Sequence, residues 1–147
     1  MVSARARLLL CSLFLAAGVS GAAVPAQVVG VKLMDSSTDP SITHMRIALD
    51  HSTLKPGLVK FKTLNASKTL THEIIIVRDK NNGALPFDAK QDRVNEHEVR
   101  ALGEISNLAP GKTGEVALNL GPGRYLLLCN EPGHYKDGMV ATLDIAP

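Results

Sequence analysis

Cysteine is nearly absent from this 147-residue chain: there are two, and Cys11 stands inside an N-terminal stretch that reads as a leader. That stretch, "MVSARARLLLCSLFLAAGVSGAAVPA", carries Arg5 and Arg7, a short apolar run from Leu8 to Val19, and small residues at Gly21, Ala22, Ala23 and Ala26. This is the layout of a secretory signal, and the apolar run is too short to span a bilayer. Residues 1–26 are therefore expected to be removed, with a cut after Ala23 as the other site that fits. Leu10 stands where a lipid-anchored cysteine would want a small residue, so Cys11 is expected to leave with the leader. One cysteine then remains in a chain bound for an oxidising compartment, which excludes a disulfide within the mature domain.

An excess of charge of one sign is missing as well. Removing Arg5 and Arg7 from the sixteen Lys and Arg leaves fourteen, against fourteen Asp and Glu. A neutral mature chain gives no reason to expect nucleic acid or an anionic membrane as partner. Internal repeats, low-complexity segments and sustained helical periodicity are also absent. The pairing His-x-His does not occur among the five histidines, which argues against an enzyme with several metal sites.

What the chain does contain is alternation. "QVVGVKLMD", "MRIALD", "GLVKFKTLN", "HEIIIVRD", "GEVALNL", "GRYLLLC" and "GMVATLDIA" are short apolar-polar runs broken by Gly, Pro, Asn and Asp, and each reads as a strand. About 120 residues suffice for one domain with a core. The expectation is one all-β domain over residues 27–147, a Greek-key β-sandwich of seven to eight strands. Between the fourth and fifth of these runs lies a long polar insertion, "DAKQDRVNEHEVRALGEISNLAPGKTG". Asn95 followed three residues later by Glu98 predicts one or two capped helical turns there.

Two short motifs carry no function. "GKT" at Gly111 to Thr113 lacks the upstream Gly of a phosphate loop, Ser106 standing in its place, and precedes a strand instead of a helix. "NAS" at Asn65 to Ser67 matches a glycosylation acceptor but reads better as the turn after a strand.

The remaining cysteine, Cys129, ends the run "RYLLLC", and "CNEPGHYKDGM" follows with four residues between Cys129 and His134 and four between His134 and Met139. Pro132 with Gly133, and Asp137 with Gly138, supply two tight turns. Cys129 shares a strand face with Tyr125 and Leu127, and His72 shares one with Ile74 and Ile76. A lone histidine on an apolar face is usually core, and so is a lone methionine. Two imidazoles, one thiolate and a weak thioether at one end of a sandwich form instead a donor set that copper handles best, in electron transfer. Zinc fits less well, since thioether is a poor zinc donor. His97, between Glu96 and Glu98, reads as solvated, and His44 and His51 have no evident partners.

His72, Cys129, His134 and Met139, in that order, resemble the type 1 (blue copper) site of the plastocyanin and azurin family, the cupredoxins. The resemblance implies one copper ion and single-electron transfer by Cu(II)/Cu(I) cycling, without enzyme activity. It extends through strand order over most of the mature chain. Many cupredoxins carry an Asn after the first histidine that bonds to a hydroxyl residue after the cysteine. Here those positions are Glu73 and Asn130, so the tie is expected with the Glu73 carboxylate accepting from the Asn130 amide group. The Cys-to-His spacing is longer than in plastocyanins. A periplasmic or secreted monomer is expected, with redox partner proteins docking near His134. The alternative is an exported copper-binding protein for copper tolerance or delivery, for which only Met34 and the "THM" at Thr43 to Met45 speak.

Overall fold

Two of the strand segments, "IIIV" and "YLLL", are apolar at consecutive positions, so both of their faces need cover. The computed structural model, which describes residues 25–147, shows how that cover arises. The expected leader, residues 1–26, lies outside the described residues apart from Pro25 and Ala26.

Eleven strands follow in order: β1 Gln27–Met34, β2 Arg46–Leu49, β3 Thr53–Leu54, β4 Gly57–Asn65, β5 His72–Arg78, β6 Phe87–Asp88, β7 Arg93–Val94, β8 Ala101–Leu108, β9 Thr113–Leu120, β10 Gly123–Leu128 and β11 Val140–Ile145. One sheet has the order β2-β1-β4-β9 and the other β3-β11-β10-β5-β8, with β6 and β7 forming a separate two-stranded ribbon. Within the first sheet β1 and β4 run parallel, and β4 pairs antiparallel with β9. Alternate residues Val29, Val31 and Leu33 of β1 and Val59 and Phe61 of β4 face Ile74, Ile76, Tyr125, Leu127 and Leu143 of the other sheet in one buried core. The intervening residues of β5 and β10, namely Ile75, Val77, Leu126 and Leu128, form a second core on the outer side, roofed by Leu85, Phe87, Val94 and Val99. Residues 79–100 are thus the lid of the second sheet, which is why strands with unbroken apolar runs are stable there.

The expected helical turns do not form, and no helix occurs among the described residues. Asn95 Nδ2 donates to Glu98 Oε1 at 2.6 Å and the Glu98 amide donates to the Asn95 carbonyl at 3.1 Å, closing a turn instead of opening a helix. Leu85, Phe87, Val94 and Val99 must all reach one flat sheet face, and an extended path spaces them for that whereas a helix would not. The second half of the insertion contains a full strand, β8, paired antiparallel with β5 and broken by two register shifts. Its sequence, "ALGEISNL", shows weak alternation because most of it is exposed at a sheet edge. Gly103 brings β8 close to β9: a Cβ there would lie 2.9 Å from Leu118 Cδ2, so that side chain would have to shift.

Candidate metal centre

β5 opens with His72, whose side chain is fully buried on the inward face. β10 runs directly into Cys129, on the same face as Tyr125 and Leu127 and likewise inaccessible. These two positions are neighbours because β5 and β10 pair antiparallel, with Leu128 opposite Ile75.

The loop after Cys129 is built by its own backbone. The His134 amide donates to the Glu131 carbonyl (3.0 Å), Asp137 to Gly133 (3.0 Å) and Gly138 to Tyr135 (3.1 Å), with Gly133 and Gly138 in the left-handed region at φ 83° and 96°. Met139 closes the loop: its amide donates to the His134 carbonyl and its carbonyl accepts from the Cys129 amide, both at 3.0 Å. Its side chain is fully buried in the same core as Cys129. The lid grips the loop from outside, since the Gly133 amide donates to the Asp92 carbonyl at 2.8 Å and the rings of Phe87 and Tyr135 stack at 6.3 Å.

Three donor atoms converge. His72 Nδ1 lies 3.2 Å from His134 Nδ1 and 3.8 Å from Cys129 Sγ, and His134 Nδ1 lies 3.4 Å from Cys129 Sγ. The point equidistant from all three is about 2.0 Å from each, the length of a metal–imidazole bond and close to that of a metal–thiolate bond. Among the described residues this is the group of three or more His, Cys, Asp or Glu whose donors could share one ion. The triangle therefore fits a transition-metal ion of the kind the donor chemistry selects.

The surroundings favour a metal over three free side chains. Burial pushes the Cys129 thiol up to about 11, and the Glu73 amide, which donates toward Sγ at 3.4 Å, only partly opposes it. Without a cation this sulfur keeps its proton; a bound ion takes the thiolate and releases it. Burial also lowers both imidazoles, so they stay neutral with a lone pair to give. His72 carries a further contact that the sequence did not announce: Nε2 sits 3.3 Å from Oδ2 of Asp35, itself buried at the end of β1. Burial works to raise this carboxyl, but the hydroxyls of Ser37 and Ser67, the Ser37 amide and His72 hold it at about 2. An Asp before "SST" reads as an ordinary turn residue, and nothing local marks it as reaching a histidine 37 positions on.

Glu73 and Asn130 do meet, but not by their side chains. Glu73 Oε1 accepts from the main-chain amide of Asn130 at 3.2 Å. The Asn130 side chain turns the other way, its Oδ1 accepting from the Val94 amide at 2.7 Å and its Nδ2 donating to the Val94 carbonyl at 3.0 Å and to Glu96 Oε1 at 2.7 Å. Val94, in the insertion, needs both main-chain groups satisfied in a buried position, and Asn130 is the side chain that reaches them. Burial, together with the carboxylates of Glu131 and Glu96, raises Glu73 to about 7. His44, His51 and His97 are exposed and stand outside the cluster; His44 pairs with Asp137 at 3.2 Å.

No protein-family model matches this sequence, and no curated protein sequence matches it. Solved structures do. Auracyanin from Roseiflexus castenholzii, in a dithionite-reduced form, is 19% identical with a TM-score of 0.59, covering 85% of this chain and 100% of that one. Auracyanin A from Chloroflexus aurantiacus, a "blue" copper protein, is 20% identical with a TM-score of 0.60 over 83% of this chain and 100% of its own. Rusticyanin from Thiobacillus ferrooxidans is 17% identical with a TM-score of 0.60 over 81% and 76%. At such identities the likeness speaks for the fold, which is that of the cupredoxins.

Proposed function

We propose that this chain is an exported blue copper protein that carries single electrons, in which His72, Cys129 and His134 would hold one copper ion and Met139 would supply a weak thioether donor. The observation that carries the reading is the buried triangle of two imidazole nitrogens and one sulfur, sized for one ion, at one end of a cupredoxin sandwich. Copper, when bound, would supply one-electron exchange between Cu(II) and Cu(I), with potential set by the thioether donor and by hydrogen bonds at the sulfur.

The protein's part is to hold the donors still. His72 and Cys129 sit on paired strands, and the Glu73 amide aims at the sulfur, an interaction that stabilises negative charge on it. The loop bearing His134 is fixed at both ends by the Cys129–Met139 and Met139–His134 main-chain bonds and from outside by Asp92. A rigid donor set limits rearrangement between the two oxidation states. His134 is the donor residue with partial exposure, so its ring edge is where a redox partner protein would dock. Export to the periplasm or outside the cell follows from the leader-like N-terminus.

Delivery or sequestration of copper is the other reading. It would want methionines and histidines gathered at an open surface, yet Met34 is 8% exposed and packed in the core, and His72, Cys129 and Met139 are fully buried. The test is a coulometric titration of copper-loaded protein. Electron transfer predicts reversible uptake of one electron per chain with the metal retained in both states; loss of the ion on reduction favours delivery.

A further inference from the structure

The carboxylate of Asp35 is split between two duties. Its Oδ1 accepts from the Ser37 amide at 2.7 Å and the Ser37 hydroxyl at 2.5 Å, which is all that a turn from Asp35 to Thr38 requires. Its Oδ2 is left over for His72 Nε2, in a place where the side chains of both residues are nearly or wholly sealed from water, at 4% and 0% exposure. A carboxylate that accepts on both oxygens is acceptor-only, so the imidazole must donate and Nε2 must carry the hydrogen. In a neutral ring this leaves Nδ1 bare, and Nδ1 is the atom turned toward Cys129 and His134.

The pair is itself clamped. The Ser37 hydroxyl contacts the Ser67 hydroxyl at 3.1 Å and accepts from the Lys68 amide at 2.9 Å. Ser67 accepts in turn from the Leu70 amide at 2.9 Å, and its own amide donates to Asn65 Oδ1 at 3.0 Å. The turn that leads into His72 is thus tied to the turn that carries Asp35, so carboxylate and imidazole are positioned by one polar network.

We propose that Asp35 is a positioning residue of the metal centre, a buried carboxylate that fixes His72 in the tautomer whose Nδ1 lone pair points into the donor triangle. It acts through the imidazole and touches no ion. Outer-shell partners of this kind change metal affinity by roughly 10- to 100-fold when removed. The identity of the metal as copper rests on the function proposed above, but the tautomer does not.

The test therefore begins with metal-free protein. Long-range 15N–1H correlation spectra report which ring nitrogen of His72 is protonated, and the expected result is Nε2–H with Nδ1 bare; an Nδ1–H tautomer in the unaltered protein overturns the proposal. Asp35→Asn, checked for folding by circular dichroism, removes the acceptor-only group. It should lose the single tautomer and bind Zn(II) and Cu(II) about 10- to 100-fold more weakly in chelator competition. A folded Asp35→Asn protein that keeps either the Nε2–H tautomer or the parental affinity also overturns it. If that variant does not fold, the spectrum of the unaltered protein still decides. Should the parent bind zinc but show no copper preference or colour, the copper reading fails while the role of Asp35 stands.

Discussion

Replacing Asn130 with Ala isolates what the lid segment contributes to the metal loop. The side chain is fully buried and makes three hydrogen bonds, two of them to the main chain of Val94, which is 1% exposed. Alanine leaves the Val94 amide and carbonyl without their side-chain partners. Each orphaned group costs about 1–3 kcal/mol, so the loss is about 2–6 kcal/mol. The third bond adds little, because Glu96 is exposed and its carboxylate turns to solvent. Against a total stability on the order of 5–15 kcal/mol this is large. The assay is equilibrium urea unfolding of metal-free protein by two probes, with the slope compared between parent and variant to confirm a like-for-like transition. A midpoint shift worth less than about 1 kcal/mol would refute the claim that Asn130 joins the lid to the loop.

Other outcomes follow from the same contacts. Asn65→Asp removes an amide that donates to the Leu70 and Leu108 carbonyls at 2.9 and 2.7 Å, so urea unfolding should show a loss of about 3 kcal/mol or more. Met139→Gln offers a harder oxygen donor that favours Cu(II) and should lower the midpoint potential; Met139→Leu removes the donor and should raise it, with copper still bound in both. Shifts of the same sign, or none, would make Met139 core packing alone. Chelator-treated protein should stay folded, because the sandwich has a continuous core of its own, and metal should raise its melting temperature by linkage; an unfolded apo form would contradict this.

The strands were legible where burial is one-sided or complete. Alternation in "QVVGVKL" and "GLVKFKT" and the unbroken "IIIV" and "YLLL" each correspond to an observed strand. β8 was not, because an edge strand with Gly103, Ser106 and Asn107 has little apolar signal, and β3, β6 and β7 are two residues long. The spacing of Cys129, His134 and Met139 was visible because the three share one loop. Asp35 and Val94 were not, since each meets its partner across more than thirty residues and is recognisable only once the sheets are assembled. Asn130 illustrates the boundary: its position beside the cysteine is plain in the sequence, but the identity of its partners depends on the path of the lid, which has no local sequence signal.

The central claim, a copper–thiolate centre at Cys129, is tested most directly by the visible spectrum of metal-free protein titrated with Cu(II). The account predicts an intense blue charge-transfer band that saturates at one copper per chain, bleaches on reduction and is absent from Cys129→Ser. A colourless complex, or a blue band that survives in Cys129→Ser, would contradict it.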